Sequence, residues 1–164
     1  MKVNINDFTV VEMSPDDVAA SEHYYSNAIR LWMILHDESK TYRAKANIAV
    51  EPWRPLTNED LMCMIKRQWQ IFFIEDNSTK ELVGLATVKK TADKDTFELM
   101  NVVVDPQYRG NGLGKMLCQT AIDWCKGNYV TINVSVYNPK AAGLYHALGF
   151  KDTYVTMHRQ KEQK

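Results

Sequence analysis

Hydrophobic side chains recur along this chain with two different periods, and the changes of period predict where strands and helices lie. Residues 9–13 hold three apolar side chains and a threonine and predict a first strand. From Ser14 to about His36, apolar side chains return every three or four residues, behind a serine, a proline and two aspartates that predict a helix start. Residues 37–56 have no regular period and contain two prolines, so they predict an irregular connection.

The rest of the chain continues to alternate between the two periods. A cap at 57–60 predicts a second helix that ends near Trp69. Beyond it the pattern predicts strands at 71–74, 82–88, 96–104, 130–136 and 152–157 and helices at 113–125 and 141–148. This order is typical of a mixed α/β fold. Because the chain has 164 residues and no internal repeat or linker, residues 1–164 are predicted to form a single domain.

Three of the seven glycines fall within five residues, at Gly110, Gly112 and Gly114. They lie between the predicted strand at 96–104 and the predicted helix at 113–125. Glycine accepts positive φ and lets a ligand approach the backbone closely. The first N–H groups of a helix are unpaired and lie at the positive end of the helix dipole. A strand, a glycine-rich loop and a helix start in this order predict a binding site for phosphate.

Two other kinds of phosphate loop are excluded by the spacing. A P-loop has a glycine five positions before its Gly-Lys pair and a serine or threonine after it, whereas these positions hold Arg109 and Met116. A dinucleotide-binding loop that starts at Gly110 needs its third glycine at the position of Lys115. The strand after the helix also lacks the acidic residue that a dinucleotide-binding fold places there.

A third interpretation fits the spacing. Residues 109–114 match Arg-x-x-Gly-x-Gly, and at this point the chain resembles the GNAT superfamily of acetyl-CoA-dependent N-acetyltransferases. Asn-Pro-Lys-Ala-Ala-Gly-Leu-Tyr at 138–145 is similar to the second motif of that family, and Leu-Gly-Phe at 148–150 is similar to the turn before its last strands. The resemblance covers residues 97–150. It implies a central, mostly antiparallel twisted sheet of six or seven strands, flanked by four helices.

The resemblance also implies acetyl-CoA as the acetyl donor and indicates which residues contact it. The pyrophosphate is expected on backbone N–H groups of the loop, which belong to Gly110, Asn111, Gly112, Leu113, Gly114 and Lys115. Arg109 is expected to supply either positive charge or a hydrogen bond that fixes the loop. Backbone groups of Val102 and Val104 are expected to pair with the pantetheine arm, and Asn138 to hydrogen-bond it. Because Asn138 precedes a proline, it is also typical of a turn at a strand end.

Acetyl transfer to an amine needs a base for the amine and an acid for the departing thiolate. An alkylammonium has a pKa of about 10 and is not nucleophilic at neutral pH. Glu98 lies at the head of the strand that enters the glycine loop, where related enzymes place a general base; the alternative is a solvated carboxylate. Tyr145 matches the tyrosine with which the family protonates the thiolate, and the alternative is a core aromatic residue.

The acceptor amine is less well specified. In the family, the acceptor site is shaped by the first two helices, their connection and the last strands. In that connection, Tyr42 and Trp53 are candidates for stacking on a substrate and two arginines for binding a carboxylate; packing and surface solvation are the alternatives. Some members that acetylate protein N-termini carry a second acid where this chain has Asn133, so the chain departs from that subgroup.

Composition limits the compartment and the partners. Twenty basic residues balance twenty acidic ones and the pI is about 6.9, so the basic excess of a nucleic-acid-binding protein is missing. The apolar runs are far shorter than the roughly 20 residues needed to cross a bilayer, and the first residues are too polar for a signal peptide. A cytoplasmic protein is therefore expected. Three cysteines and four scattered histidines predict no metal site.

Together these features predict an N-acetyltransferase that moves an acetyl group from acetyl-CoA to a primary amine of a small molecule or a peptide. Direct attack in a ternary complex is expected, because no cysteine–histidine pair is positioned to form a covalent acyl-enzyme. A non-catalytic acyl-CoA-binding or regulatory module on the same fold is the alternative. A monomer and a homodimer are both compatible with the sequence.

Overall fold

A single mixed sheet crosses the molecule and carries helices on both of its faces. The computed structural model describes residues 2–46, 57–67, 69–93 and 95–157. Within these ranges the sheet has five strands, arranged in the order β1 (Phe8–Met13), β2 (Gln70–Asp76), β3 (Leu82–Lys90), β4 (Thr96–Val104) and β5 (Tyr129–Ile132). The first three neighbouring pairs are antiparallel, whereas β4 and β5 are parallel.

Five α-helices and two short 3-10 turns accompany these strands in the described ranges. The helices are α1 (Pro15–Ala20), α2 (Glu22–Lys45), α3 (Asn58–Lys66), α4 (Leu113–Trp124) and α5 (Pro139–Ala147), and the turns are Ile5–Asp7 and Pro106–Tyr108. Helices α1, α2 and α5 each begin behind a serine or asparagine side chain that accepts a hydrogen bond from the helix backbone. Such caps satisfy N–H groups that have no partner inside the helix.

Each face of the sheet packs against its own set of helices. On one face, α1, α2 and α3 enclose a cluster that includes Val18, Ala28, Leu31, Leu61, Met64, Ile71, Phe73, Leu82, Leu85 and Val103. On the other face, α4 and α5 enclose a cluster that includes Phe72, Ile74, Val83, Ala86, Val88, Leu99, Leu113, Leu117, Cys118 and Tyr145. Alternate residues of one strand serve opposite faces. Because both faces are buried, the central strands are continuous apolar runs in the sequence.

The first helical region differs from the predicted one. It consists of two helices, because Ser21 leaves the helical conformation, with φ −115° and ψ 114°, and caps α2. Helix α2 then runs on to Lys45, so the predicted irregular connection is wrong for residues 37–45. Its last turns are polar and lack an apolar period, but they contain good helix formers and an ion pair between Asp37 and Lys40. Residues 47–56 of that connection lie outside the described residues.

The last part of the chain contains less sheet than predicted. Strand β5 ends at Ile132 instead of residue 136, because the chain then turns away from β4. The predicted strand at 152–157 is wrong, since these residues are exposed, with Tyr154 94% exposed, and form no strand. Their aromatic and β-branched composition fits a pleated surface but does not supply a neighbouring strand. The described ranges therefore hold five strands instead of six or seven, and five α-helices instead of four.

Candidate active site

The parallel strands β4 and β5 separate part-way along β4, and we call the opening between them the fork. They pair only through residues 96–99 and 129–132. From residue 100 to 104, β4 has no strand on that side among the described residues. This edge includes Val102 and Val104, the two residues predicted to pair with pantetheine. An unpaired strand edge offers N–H and C=O groups to an extended ligand.

A β-bulge in β4 shapes one side of the fork. Between the pairs Thr87–Met100 and Leu85–Val103, two residues of β4 face a single residue of β3. Asn101 has a positive φ of 50° in this bulge, and its side-chain amide donates to the buried Thr87 hydroxyl at 3.1 Å. Asparagine tolerates the left-handed region better than most residues that carry a side chain. A bulge bends its strand, and here it does so where β4 leaves β5.

The glycine loop lies between the end of β4 and the start of α4. Gly110 and Gly112 have φ values of +80° and +84°, which L-residues with side chains rarely adopt. Gly112 is the N-cap of α4, and no side chain caps this helix. The N–H groups of residues 113–115 are therefore available to an anion. The Leu113 side chain is buried in the core, whereas Lys115 is exposed beside the loop.

The N-terminal segment lies against this loop. The Val3 N–H donates to Asn111 Oδ1 at 3.1 Å, and the Asn111 amide donates to two carbonyl groups of the preceding turn, at 2.9 and 3.2 Å. Cδ1 of Ile5 lies 3.4 Å from the position that a Cβ on Gly112 would take. At Gly110, by contrast, an added Cβ would meet nothing within 4 Å. The loop is thus supported on one side and open on the other, which fits a bound pyrophosphate.

Arg109 fixes the loop from within the protein. Its Nε–H donates to the Val104 carbonyl at 2.7 Å, and its Nη1 pairs with the Glu38 carboxylate of α2. Of the two roles predicted for Arg109, this arrangement corresponds to the hydrogen bond that fixes the loop. Its positive charge is already paired with Glu38.

Helix α5 brings the second motif beside the loop. A Cβ on Gly114 would lie 3.6 Å from Leu144 and 3.8 Å from Val104, which are ordinary van der Waals distances, so α5 and β4 both pack beside the first turn of α4. Asn138 caps α5, because its Oδ1 accepts a hydrogen bond from the Ala141 N–H at 3.1 Å. The chain also turns at Asn138, whose N–H donates to the Ser135 carbonyl at 2.9 Å, but β5 already ends at Ile132, so this is not the predicted strand end. The side-chain amide nitrogen of Asn138 makes no hydrogen bond to a described residue and remains a donor.

Glu98 lies at the base of the fork and is held by two neighbours. Lys89 Nζ is 3.1 Å from Oε2, and the Asn133 amide donates to Oε1 at 2.9 Å. Since side chains alternate along β4, Glu98 is on the same face as Met100, which packs against the cluster under α1, α2 and α3. Each carboxylate oxygen has two lone pairs, so both oxygens retain an acceptor position. Glu98 is part of a polar network rather than a freely solvated carboxylate.

Tyr145 lies on the opposite face of the sheet. It is 7% exposed, and its ring contacts Phe150 edge-on with 5.9 Å between centroids. Burial, together with the nearby Cys118 thiol, raises the pKa of Tyr145. Burial also raises the pKa of Cys118 to about 12. Both groups therefore keep their protons at neutral pH, and Tyr145 packs as a core aromatic residue while retaining a proton to donate.

Of the two aromatic residues predicted to bind the acceptor, the structure describes one. Tyr42 is half-buried in the last turns of α2, with Lys45 Nζ 6.0 Å from its ring centroid. Helix α2 covers the face of the sheet on which Glu98 lies. Trp53 lies outside the described residues.

Comparison with known proteins identifies the family of this chain. The model of the Acetyltransferase (GNAT) family matches residues 31–150, which is nearly three quarters of the sequence. The chain belongs to the GNAT family. Among curated GNAT relatives, the N-alpha-acetyltransferase RimI of Mycobacterium tuberculosis is 28% identical over 111 residues, which span 66% of this chain and 67% of that protein.

Solved structures share the fold described above over nearly the whole chain. A tetramutant of the BH1408 protein from Bacillus halodurans superposes with a TM-score of 0.71 at 17% identity, covering 93% of this chain and 99% of that one. The aminoglycoside acetyltransferase meta-AAC0020 from an uncultured soil metagenomic sample superposes with a TM-score of 0.66 at 14% identity, covering 97% and 98%. At such identities the likeness shows the fold alone, which is the mixed fold described above.

GNAT membership confirms the resemblance carried by residues 109–114 and 138–150 and makes the chain an acyltransferase. The family implies acetyl-CoA as the co-substrate. Among the described residues, no helix is both long enough and apolar enough to cross a membrane. In the same ranges, no group of three or more histidine, cysteine, aspartate or glutamate side chains is placed to hold a metal ion.

Several partners in this GNAT site are not predicted by the sequence. Lys89 and Glu38 are partners of Glu98 and Arg109 in the structure but carry no signal in the sequence, which marks Asn133 only as the place of a missing acid. Opposite charges that face each other across two strands stabilise a sheet, so a known register would have paired Lys89 with Glu98. Glu38 is 71 residues from Arg109 and carries no local signal of its contact.

Proposed function

We propose that this protein transfers the acetyl group of acetyl-CoA to a primary amine of a small molecule or a peptide, by direct attack in a ternary complex. The observation that carries the proposal is the fork, which opens beside an uncapped helix N-terminus and has Glu98 at its base. The uncapped helix N-terminus suits the phosphate end of a ligand, and the open edge of β4 suits an extended arm of the same ligand.

Bound acetyl-CoA supplies an acetyl thioester, whose carbonyl carbon is the electrophile. The residues of the chain bind and orient this ligand. The N–H groups of residues 110–115 hold the pyrophosphate, and the edge of β4 at Val102 and Val104 pairs with the pantetheine arm. The free amide donor of Asn138 bonds the same arm from the side of α5. These contacts are made mostly by the backbone, so they depend on the shape of the loop and strand.

Glu98 receives the proton of the incoming amine. Its two oxygens keep acceptor positions while Lys89 and Asn133 fix the orientation of the carboxylate. A base held in one orientation removes the proton directly or through one water. Lys89 and Asn133 act through Glu98 and are positioning residues.

Tyr145 gives a proton to the thiolate that leaves. It lies on the face of α4 and α5, whereas Glu98 lies on the face of α2. Glu98 therefore acts on the acceptor amine, and Tyr145 on the departing thiolate, from opposite faces of the sheet at the fork. The hydroxyl is protonated at neutral pH and can donate; burial raises its pKa, so it is a weaker acid than an exposed tyrosine.

The acceptor enters from the side of α2. Tyr42 provides an aromatic surface near the end of that helix, and we assign it, together with Trp53, to the acceptor wall. Balanced charge in the sequence favours a small amine or a short peptide over an acceptor bound to nucleic acid. Such an amine arrives as a cation and finds the Glu98 carboxylate.

The test is an amine panel that includes polyamines, amino acids, aminoglycosides and peptide N-termini, with release of the CoA thiol as the signal. Gly112→Ala is the site variant, because alanine is strained at φ +84° and the loop amides must move. Gly143→Ala is the matched control, because Gly143 is exposed, has open space around it and lacks a positive φ. We expect the Kd for CoA to rise by about tenfold or more, corresponding to roughly 1.4 kcal/mol, in Gly112→Ala only.

Two results contradict the proposal. The first is a wild-type protein that binds neither CoA nor acetyl-CoA. The second is a protein that binds acetyl-CoA and releases no thiol with any amine in the panel, which indicates the non-catalytic alternative.

A further inference from the structure

Two ion pairs join helix α2 to the turn and loop that follow β4. In each pair, the side chain that α2 contributes has no assigned role in binding or catalysis. In the first pair, Arg30 Nη1 is 2.7 Å from Asp105 Oδ2, and Arg30 Nη2 donates to the Leu82 carbonyl at 2.6 Å. One guanidinium therefore joins α2 to the start of β3 and to the end of β4. Arginine suits this place because its planar fork offers several donors in fixed directions.

Asp105 connects Arg30 to the turn that leads into the glycine loop. It is 8% exposed, so its charge needs partners inside the protein. While Oδ2 pairs with Arg30, Oδ1 accepts the Gln107 N–H at 3.1 Å and caps the 3-10 turn that leads into the glycine loop. The Asp105 carbonyl also accepts the Tyr108 N–H at 2.9 Å. The position of the turn is thus set by a carboxylate that Arg30 holds.

The second pair repeats the link two turns further along α2. Glu38 pairs with Arg109, whose Nε–H donates to the Val104 carbonyl. Arg30 and Glu38 are eight residues apart, which is about 12 Å along the helix, and lie on one face of it. The two pairs hold both ends of the turn, from Asp105 to Arg109, against the same helix.

We propose that Arg30 and Glu38 are positioning residues for the glycine loop. They act through Asp105 and Arg109 and hold the loop amides in the geometry that binds the pyrophosphate of CoA. The inference rests on the proposed use of acetyl-CoA. The inference adds that α2, the helix on the acceptor side of the sheet, also influences the affinity for acetyl-CoA.

The first experiment measures the Kd for CoA by calorimetry in Arg30→Met, Arg30→Lys and the matched control Lys40→Met. Lys40 is on the same helix, and its one ion pair among the described residues is with exposed Asp37. We expect Arg30→Met to weaken CoA binding about tenfold, and Arg30→Lys about threefold because charge is kept but the fork of donors is lost. Lys40→Met is expected to stay within about twofold of wild type.

A second variant keeps the inference testable if Arg30→Met fails to fold. Glu38 is partly exposed, so Glu38→Gln is expected to fold normally. Its matched control is Asp37→Asn, the neighbouring acid that pairs with Lys40. We expect Glu38→Gln to weaken CoA binding about threefold and Asp37→Asn to leave it unchanged.

A readout in the free protein separates positioning from general stability. In the Arg30 and Glu38 variants, amide exchange at Gly110 and Gly112 is expected to accelerate relative to that at Gly143. In steady-state kinetics, the KM for acetyl-CoA should rise while the acceptor KM stays within about twofold. A purely structural role would lower the melting temperature and leave both the CoA affinity and this exchange ratio unchanged.

Folded Arg30→Met and Glu38→Gln proteins with wild-type CoA affinity would overturn the inference and leave the proposed function intact. A wild-type protein that does not bind CoA would overturn both. The two failures are therefore distinguishable.

Discussion

Glu98 carries hydrogen-bonded partners on both of its oxygens, and this determines how its substitution should act. Glu98→Gln keeps the shape of the side chain but removes both the base and the ion pair to Lys89. We expect kcat/KM for the acceptor to fall most near pH 7 and less above about pH 9, where more of the amine is already deprotonated. The measurement is a pH–rate profile with the acceptor varied at saturating acetyl-CoA.

Glu12→Gln is the control for this change, because Glu12 is an exposed glutamate on a strand at the far side of the sheet. A Glu98→Gln profile that runs parallel to the wild-type profile at every pH would remove Glu98 from the role of base.

Tyr145 offers a sharper test, since only one oxygen atom is removed. Tyr145→Phe preserves the ring that packs against Phe150. We expect kcat to fall by about 10²-fold if the hydroxyl protonates the thiolate. The Kd for CoA and the melting temperature are expected to change little, because the hydroxyl has no hydrogen bond to a described residue. Turnover is measured beside Tyr129→Phe, which alters a tyrosine that is 80% exposed. Wild-type turnover in Tyr145→Phe would leave only a packing role.

At the residue scale, the sequence indicates which residues are candidates for the site but not which neighbours they contact. Glu98, Tyr145 and Arg109 are candidates because they match positions in the motifs of the family that the chain resembles. Their contacts with Lys89, Cys118 and Glu38 depend on strand register and helix packing. Those are set by many weak interactions across the whole fold, so no local pattern reports them.

The bulge in β4 is an element whose stability can be measured directly. Asn101→Ala removes the hydrogen bond to Thr87 and places a β-carbon at φ 50° without the compensation that asparagine gives. We expect the free energy of unfolding to fall by about 2 kcal/mol, from the strain and the buried hydroxyl left unpaired. Asn101→Gly also loses the hydrogen bond to Thr87 but is not strained at this φ, so it is expected to lose less stability. Urea unfolding of both variants separates the two contributions, and equal losses would show that strain is negligible.

Helix α5 allows a stabilising change to be predicted. Gly143 lies inside the helix, and an added Cβ would meet nothing within 4 Å. Gly143→Ala should stabilise the protein by about 0.5–1 kcal/mol, because alanine restricts the unfolded chain more than glycine does. Gly149 has equally open surroundings but a φ of +91°, so Gly149→Ala should destabilise. Thermal midpoints of the two variants should move in opposite directions, and a shared direction would contradict the argument.

Elements were predicted well where the apolar period was strong and poorly where other forces decide. The strands from β2 to β4 and helix α4 agree with the predicted ones to within a few residues. The end of α2 was missed because residues 37–45 are held by helix propensity and ion pairs, which leave no apolar stripe. Residues 152–157 were overpredicted because a strand needs a neighbour, and composition carries no information about one.

The whole molecule should lose stability in alkali. Burial raises the pKa of Cys118 to about 12 and that of Cys125 to about 11, from 9.0 for an exposed thiol. Above about pH 9 the unfolded chain releases protons that the folded protein retains, so the free energy of unfolding decreases as the pH rises. We expect roughly 1 kcal/mol per pH unit for each thiol between about pH 9 and pH 11.

Urea midpoints at several pH values, with reductant present, measure this slope. Cys118→Ala should make it shallower, and Cys63→Ala should not, because the Cys63 thiol is exposed. Curves of equal slope for wild type and Cys118→Ala would contradict the assignment.

The contact of Val3 with Asn111 has a practical consequence for how the protein is handled. A segment fused ahead of Val3 would begin beside the glycine loop, where the nucleotide end of acetyl-CoA is expected to bind. A purification tag or a surface linker at this terminus would compete with that ligand or shield it by charge. Affinities determined on such material would be underestimates, so a binding assay on this enzyme needs protein without an addition ahead of Val3.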